Sequence, residues 1–245
     1  MKNNLLTSVF LVGGFNVVYA SSDKPNIIFI LADDMGYGDM SCLNPTSKTT
    51  TSNLDGMAAD GVVFTDAHSS SSVSTPTRYG ILTGRYNWRS TLKSGVLDGY
   101  SKALIPCGRE TIASMLKKQG YTTAAIGKWH LGSRDEQHPN NRGFDLFYGM
   151  KAGGRDYFYN EKKSDRPGDE RNLLLNDRQV KFEKYLTDAF SEKAVEFINE
   201  SSQPFMMYLA YNAVHTPMQA TDEDMAKFEG HPRQKLAAMT YALDR

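Results

Sequence analysis

Three apolar runs, each leading directly into polar residues able to do chemistry, constrain this chain more than any other feature. Asn26-Ile27-Ile28-Phe29-Ile30-Leu31-Ala32 leads into Asp33-Asp34. An unbroken run of this kind predicts a strand buried on both faces. Thr122-Thr123-Ala124-Ala125-Ile126-Gly127 follows a helical pattern over 110–119 that stops at Gly120, and it leads into Lys128-Trp129-His130. Phe205-Met206-Met207-Tyr208-Leu209-Ala210-Tyr211 follows an amphipathic pattern over 187–199 and leads into Asn212 and His215-Thr216-Pro217. Strands alternating with helices predict an α/β fold, a mostly parallel sheet with helices on both faces. Ligands bind such sheets beyond the carboxyl ends of the strands. Three chemically capable strand ends from distant parts of the chain are therefore expected to converge on one pocket.

A fourth segment supplies a hydroxyl and a cation. In Ser74-Thr75-Pro76-Thr77-Arg78, Pro76 suits the first turn of a helix, where its missing N–H costs nothing. Ser74 then sits at the helix mouth, where free backbone N–H groups and the positive dipole end attract anions. Arg78, four residues on, can return its fork towards Ser74. Gly84, just past Ile81-Leu82, reads as the helix stop. Together these groups suggest a nucleophile for a sulfate or phosphate ester. The plainer reading is a capped helix after the Ser69–Ser72 serine run.

The other strand ends carry complementary chemistry. Asp33-Asp34 is a hard-oxygen pair suited to Ca²⁺ or Mg²⁺, provided the backbone turns there, as Gly36 and Gly38 allow. It could equally cap the next element. Lys128 and His130 lie two residues apart, on one side of an extended chain. The lysine can neutralise an anionic ester, and the imidazole can transfer protons near neutrality. A surface lysine beside a packed histidine is the alternative.

Composition narrows the setting. The 245 residues carry 28 Lys and Arg against 28 Asp and Glu, with no basic block, so nucleic acid is not an expected partner. Residues 1–20 read as a signal peptide: one Lys, an apolar stretch from Leu5 to Val18, and Val18-Tyr19-Ala20 as the cleavage pattern. The stretch is too short and too interrupted for a membrane anchor, so export to the periplasm or medium is expected. Cys42 and Cys107 have no spacing signature that pairs them. Residues 151–183 are polar and rich in Gly, Asp and Arg, and read as a long excursion suited to substrate contacts. Its Arg155, Lys162, Lys163, Arg166 and Arg171 could bind an anionic polysaccharide or be an ordinary solvated loop.

The motifs resemble those of the sulfatase family, in order, from Pro25 to Arg245. Ser74-Thr75-Pro76-Thr77-Arg78 with Leu82-Thr83-Gly84-Arg85 is similar to the family signature, with Thr77 a mild departure. The segment from Pro25 to Asp39, Gly127-Lys128-Trp129-His130-Leu131-Gly132 and His215-Thr216-Pro217 are similar to its other blocks. Gly143-Phe144-Asp145, before an aromatic-glycine turn, and Tyr185-Leu186-Thr187-Asp188 read as scaffold, as does Asp39. His68, His138 and His231 have no motif support, although His138 could line the cleft.

This resemblance implies an alkaline-phosphatase-like α/β fold in a catalytic domain over 21–245. It further implies a hydrolase of sulfate esters in which a modifying enzyme of the Ser type converts Ser74 to formylglycine. Asp33, Asp34 and the converted Ser74 are implied ligands of one Ca²⁺. Arg78 and Lys128 are implied to hold charge, Lys128 and His215 to bind sulfate, His215 to protonate the leaving oxygen, and His130 to help expel sulfate. The expected substrate is a sulfated glycan. Alternatives are a phosphate- or phosphonate-ester hydrolase of the same superfamily, and a non-catalytic sulfated-glycan-binding protein with Ser74 unmodified.

The chain is also expected to be the N-terminal portion of a longer catalytic domain. The helical pattern over 233–245 ends without a stop signal. The family draws further calcium ligands from an Asp-Asn-Gly strand end, and no Asp-Asn-Gly occurs here. Calcium takes about six to eight oxygens, more than this pair and Ser74 supply. A missing central strand is expected to leave apolar faces open and the chain prone to aggregate.

Overall fold

The computed structural model describes residues 24–160, 166 and 168–245. The proposed signal peptide, Lys162 and Lys163 lie outside the described residues. A six-stranded sheet has the order β1 (Ile27–Leu31), β6 (Phe205–Ala210), β2 (Thr122–Lys128), β3 (Leu146–Met150), β4 (Leu174–Leu175) and β5 (Arg178–Gln179). The first four in that order pair in parallel, and β4 and β5 add an antiparallel margin. Helices α1 (Ser52–Asp60), α2 (Ser74–Thr83), α3 (Ile112–Lys118), α4 (Leu186–Glu200), α5 (Asp222–Ala226) and α6 (Gln234–Asp244) complete the regular structure.

Alternation along the central strands divides the core between two faces. Ala124, Ile126, Met207 and Leu209 pack with Leu186, Phe190 and Phe197 of α4 and Met239 of α6. Ala125, Met206 and Tyr208 pack on the opposite face with Tyr79 and Leu82 of α2 and Ala113 of α3. The sheet is thus sandwiched by helices, and the α/β reading holds.

Two local expectations need correction. The run at 27–31 does form β1, but Ile28, Phe29 and Ile30 are 44%, 38% and 45% exposed. Among the described residues β1 pairs only with β6 and stands at the sheet edge. An apolar run marks membership of a sheet and carries no information about what covers it. The aromatic-glycine segment after Asp145 is strand β3 and not a turn. Gly149 sits opposite Gly127, and a Cβ on Gly149 would lie 1.9 Å from the Gly127 carbonyl oxygen. Glycine at 149 is therefore the condition for β3 to approach β2, where the sequence pattern suggests a break. Cys42 and Cys107 are free and exposed.

Helix α1 is capped from the far end of the chain. Thr51 precedes α1 without a side-chain cap. Instead the Asp244 carboxylate accepts from the backbone N–H of Asn53 at 3.1 Å and of Leu54 at 2.8 Å. A carboxylate at a helix N-terminus satisfies orphan donors and complements the dipole. Asp244→Ala is expected to cost about 1 kcal/mol, lowering Tm by about 2–4 °C, with Asp244→Asn intermediate. Thermal unfolding followed by circular dichroism checks this, and an unchanged midpoint for Asp244→Ala would rule out the cap.

Candidate functional site

The ends of β1, β2 and β6 lie side by side, and the mouth of α2 faces them. The β1–β6 pairing continues past the strands: Asp33 N–H donates to Ala213 O and Val214 N–H to Asp33 O, both at 2.7 Å. This holds Asp33-Asp34 beside the loop that carries His215. Asp34 has φ 62°, a left-handed turn of the kind that adjacent carboxylates need if both are to reach one ion.

Ser74 is the first residue of α2, and Gly84 ends that helix at φ 63°. The Arg78 Nε–H donates to Ser74 Oγ at 2.8 Å, and His130 Nδ1 lies 2.8 Å from the same oxygen. With His130 neutral, the hydroxyl accepts from arginine and donates to imidazole. Burial, reinforced by the charges of Lys128 and Arg78, pushes the His130 pKa down to about 4.

Arg78 and Lys128 are each only 1% exposed. The Arg78 Nη1–H donates to the Lys128 carbonyl at 2.8 Å, and Nη2 lies 3.4 Å from Asp33 Oδ1. Lys128 Nζ pairs with the other Asp33 oxygen. Burial and the Arg78 charge lower the Lys128 pKa, with Asp33 opposing them. His215 completes the group, its Nε2 lying 3.9 Å from Asp34 Oδ2. Asp33, Ser74, Arg78, Lys128 and His130 therefore form one bonded cluster, with the Asp34–His215 pair beside it. His138 is not among them: it is buried, with Nε2 3.1 Å from Asn176 O and its ring edge-on to Phe147.

Several supporting groups gave little sequence signal. Thr75 donates to the His130 carbonyl at 2.9 Å and accepts from Leu97 N–H at 3.2 Å, and His130 N–H donates to Lys151 O at 3.1 Å. These bonds hold His130 at φ 52°. The Tyr157 hydroxyl lies 2.6 Å from Asn212 O and 2.8 Å from His215 O. Burial raises its pKa, so it stays a neutral donor. Gly153 and Gly154 lie against the two histidines, and their adjacency just after an apolar segment was the one available sign.

Asp33, Asp34, Ser74 and Arg78 line a cavity of about 240 Å³. Two carboxylates and a hydroxyl among its lining residues are the kind of hard-oxygen donors that Ca²⁺ prefers. The residues present therefore fit calcium in kind. Among the described residues no group of three or more His, Cys, Asp or Glu is gathered for a metal, so protein oxygens beyond these would have to complete the shell.

A parallel sheet sandwiched by helices, with an acidic pair, a helix-mouth hydroxyl and buried cations at its strand ends, defines an α/β protein built to receive an oxyanion. The family model for Sulfatase matches residues 25–241, and the chain belongs to that family. Arylsulfatase G of Mus musculus is 35% identical over 229 residues, covering 81% of this chain and 42% of that protein. The N-acetylgalactosamine-6-O-sulfatase of Bacteroides thetaiotaomicron is 49% identical over 112 residues, 46% of this chain and 22% of that protein. The solved structure of Ps i-CgsB in complex with k-i-k-neocarrahexaose superposes with a TM-score of 0.83 at 38% identity, covering 90% of this chain and 52% of that one. The chain thus spans about half, or less, of the length of these relatives.

Gly153 gives a direct test of the geometry. A Cβ there would lie 2.5 Å from His130 Cε1 and 2.6 Å from Nε2. Gly153→Ala is expected to displace the ring from Ser74 and to lower turnover roughly a hundredfold, since small misplacements of reacting groups are costly. The melting temperature should change little. Full activity in this variant would show that the ring has no need of this position.

Proposed function

We propose that the protein hydrolyses sulfate esters of a sulfated carbohydrate, using a formylglycine derived from Ser74 together with Ca²⁺. The observation that carries this reading is the placement of Ser74 Oγ, 2.8 Å from both Arg78 Nε and His130 Nδ1 at the N-terminus of α2. A helix mouth, an arginine fork and a histidine around one hydroxyl suit attack on a tetrahedral oxyanion ester. Membership of the sulfatase family supports sulfate over phosphate.

Asp33, Asp34 and the oxygen at position 74 would hold the calcium ion, which when bound supplies charge neutralisation at a sulfate oxygen. Formylglycine supplies a hydrated carbonyl: one hydroxyl attacks, and the second gives an elimination route for release of sulfate. Arg78 orients the oxygen at position 74 and, with Lys128, offsets the negative charge of the ester. His130 is placed to take a proton from a hydroxyl at 74. His215, beside Asp34, would protonate the leaving sugar oxygen. A Ser-type formylglycine-generating enzyme is the implied partner. Export through the segment 1–20 to the periplasm or medium would bring the enzyme to polymeric glycans. Among the described residues no helix is long and apolar enough to cross a membrane.

Ser74→Ala should abolish sulfate-ester turnover while leaving the fold intact. Mass measurement of the parent peptide containing Ser74 should show the loss of two hydrogen atoms that oxidation to an aldehyde requires. Turnover surviving in purified Ser74→Ala would sink the mechanism, and faster cleavage of aryl phosphate than of aryl sulfate would sink the substrate class.

Asp34→Ala, at an exposed carboxylate with no role in the buried charge cluster, should weaken calcium binding roughly tenfold or more, because a charged oxygen ligand is lost. Activity should recover at high calcium. Calorimetry that found equal affinity in variant and parent would refute the ligand assignment.

A further inference from the structure

A cavity of about 390 Å³ opens beside His215, with Arg155, Arg166 and Arg171 on its walls together with Thr216 and Pro217. Gly154 also lines it, and a Cβ there would lie 3.3 Å from His215 Cε1, so this glycine borders both the cavity and the imidazole. Three arginines stand against two nearby carboxylates: Asp156, which already accepts from Gln219 Nε2 at 3.0 Å, and Asp169, which pairs with Arg171. The arginines are held in different ways. Arg155 is 7% exposed, with its guanidinium 4.5 Å from the Phe182 ring centre and Nη1 donating to Arg171 O at 2.7 Å. Arg171 is gripped by Asp169 through Nε and Nη2 at 2.9 and 2.6 Å, which fixes its plane. The Arg166 side chain is exposed. A second cavity of about 630 Å³ shares Arg166 and Arg171 and extends to Arg134 and to Tyr100, whose ring is 88% exposed.

We propose that this arginine-lined cavity is a subsite for a second anionic group, a sulfate or a carboxylate, on the sugar that departs when the ester is cleaved. The substrate is then a polyanionic glycan and not a singly charged ester. This rests on the proposed function only in placing the leaving oxygen at His215. Guanidinium forks match the paired oxygens of sulfate and carboxylate. An excess of arginine over acid in a concave, partly desolvated site draws such groups in. An exposed aromatic ring beyond the arginines suits the apolar face of a further sugar.

The test compares pairs of oligosaccharides that differ only in a second charged group next to the scissile ester. The probes are mono- and disulfated carrageenan tetrasaccharides and N-acetylgalactosamine-6-sulfate disaccharides with and without an adjacent uronate. With the formylglycine-bearing, calcium-loaded full chain, the second charge should lower KM about tenfold, the scale of one charge-assisted contact. Arg166→Ala should erase that advantage without changing kcat on the singly charged partner, and Arg166→Lys should restore part of it. The pair with the larger loss identifies sulfate or carboxylate as the preferred group. Equal KM within every pair, or Arg166→Ala slowing both members alike, would overturn the subsite. Calorimetry on Ser74→Ala separates this inference from the hydrolase reading. Arg166-dependent binding of the doubly charged glycan without any turnover by the parent keeps the subsite and removes the enzyme. Turnover with no dependence on Arg166 does the reverse.

Discussion

Burying a carboxylate costs several kcal/mol unless its charge and lone pairs are met, and Asp33 is only 7% exposed. Lys128 Nζ meets one oxygen and Arg78 Nη2 lies 3.4 Å from the other. Neither cation could be buried alone, so the three residues tolerate the interior only together. They come from the end of β1, the end of β2 and the first turns of α2, and the cluster therefore fixes how three segments of the chain meet. It also leaves two buried cations against one buried acid, so an incoming anion is favoured by the same groups that hold the elements in place. Removing Asp33 would leave two unpaired cations, a larger penalty than the loss of one contact. Asp34 escapes this bind, since its turned backbone directs it toward solvent and His215.

The backbone around the cluster explains the accuracy with which the groups meet. The paired bonds between Asp33 and the Ala213-Val214 segment carry sheet geometry beyond β1 and β6. Gly127 admits the Ala210 carbonyl within 2.0 Å of where its Cβ would stand, just before Lys128 turns into the site. Thr75 clamps the His130 carbonyl while Ser74, the preceding residue, meets the His130 ring. One dipeptide thus sets both ends of the histidine, which links imidazole orientation to the helix mouth. Sites on strand ends and helix termini are positioned by the whole ladder behind them, more firmly than sites on loops.

The parts legible in the sequence were those in which hydrophobic pattern and chemistry change together. Apolar runs ending in Asp33-Asp34, Lys128-Trp129-His130 and His215 announced strand ends and candidate site residues at once. Pro76 and Gly84 framed α2. The exposure of Ile28 and Ile30 was illegible because a run of isoleucines records what a strand could bury and not its neighbours. Strand β3 was hidden because Gly149 looks like a turn signal, although it serves close approach between strands. Thr75, Tyr157 and Gly153 act through backbone carbonyls or empty space around other residues. Such relations have no period and no motif, and appear only when distant segments are brought together. The trans cap of α1 by Asp244 is of the same kind, joining residues about 190 positions apart.

The cleft has two sides built on different physical terms. On the Ser74 side, buried cations, a helix dipole and strand ends hold atoms in place with little solvent to screen them. On the far side of His215, the arginines sit on the polar excursion after β3, anchored at one point by the Arg155–Phe182 contact and the Arg171–Asp169 pair. Solvent reaches this side, so each contact there is weaker and more easily altered. Geometry on the Ser74 side cannot shift without exposing a buried charge, whereas contacts on the arginine side can change one at a time. A substitution on the arginine side can therefore alter that surface without disturbing the oxygen at position 74. The two sides meet at His215, where the Tyr157 hydroxyl fixes the carbonyl and Gly154 leaves room for the ring. The contacts of that one histidine consequently link the exposed side of the cleft to the buried one.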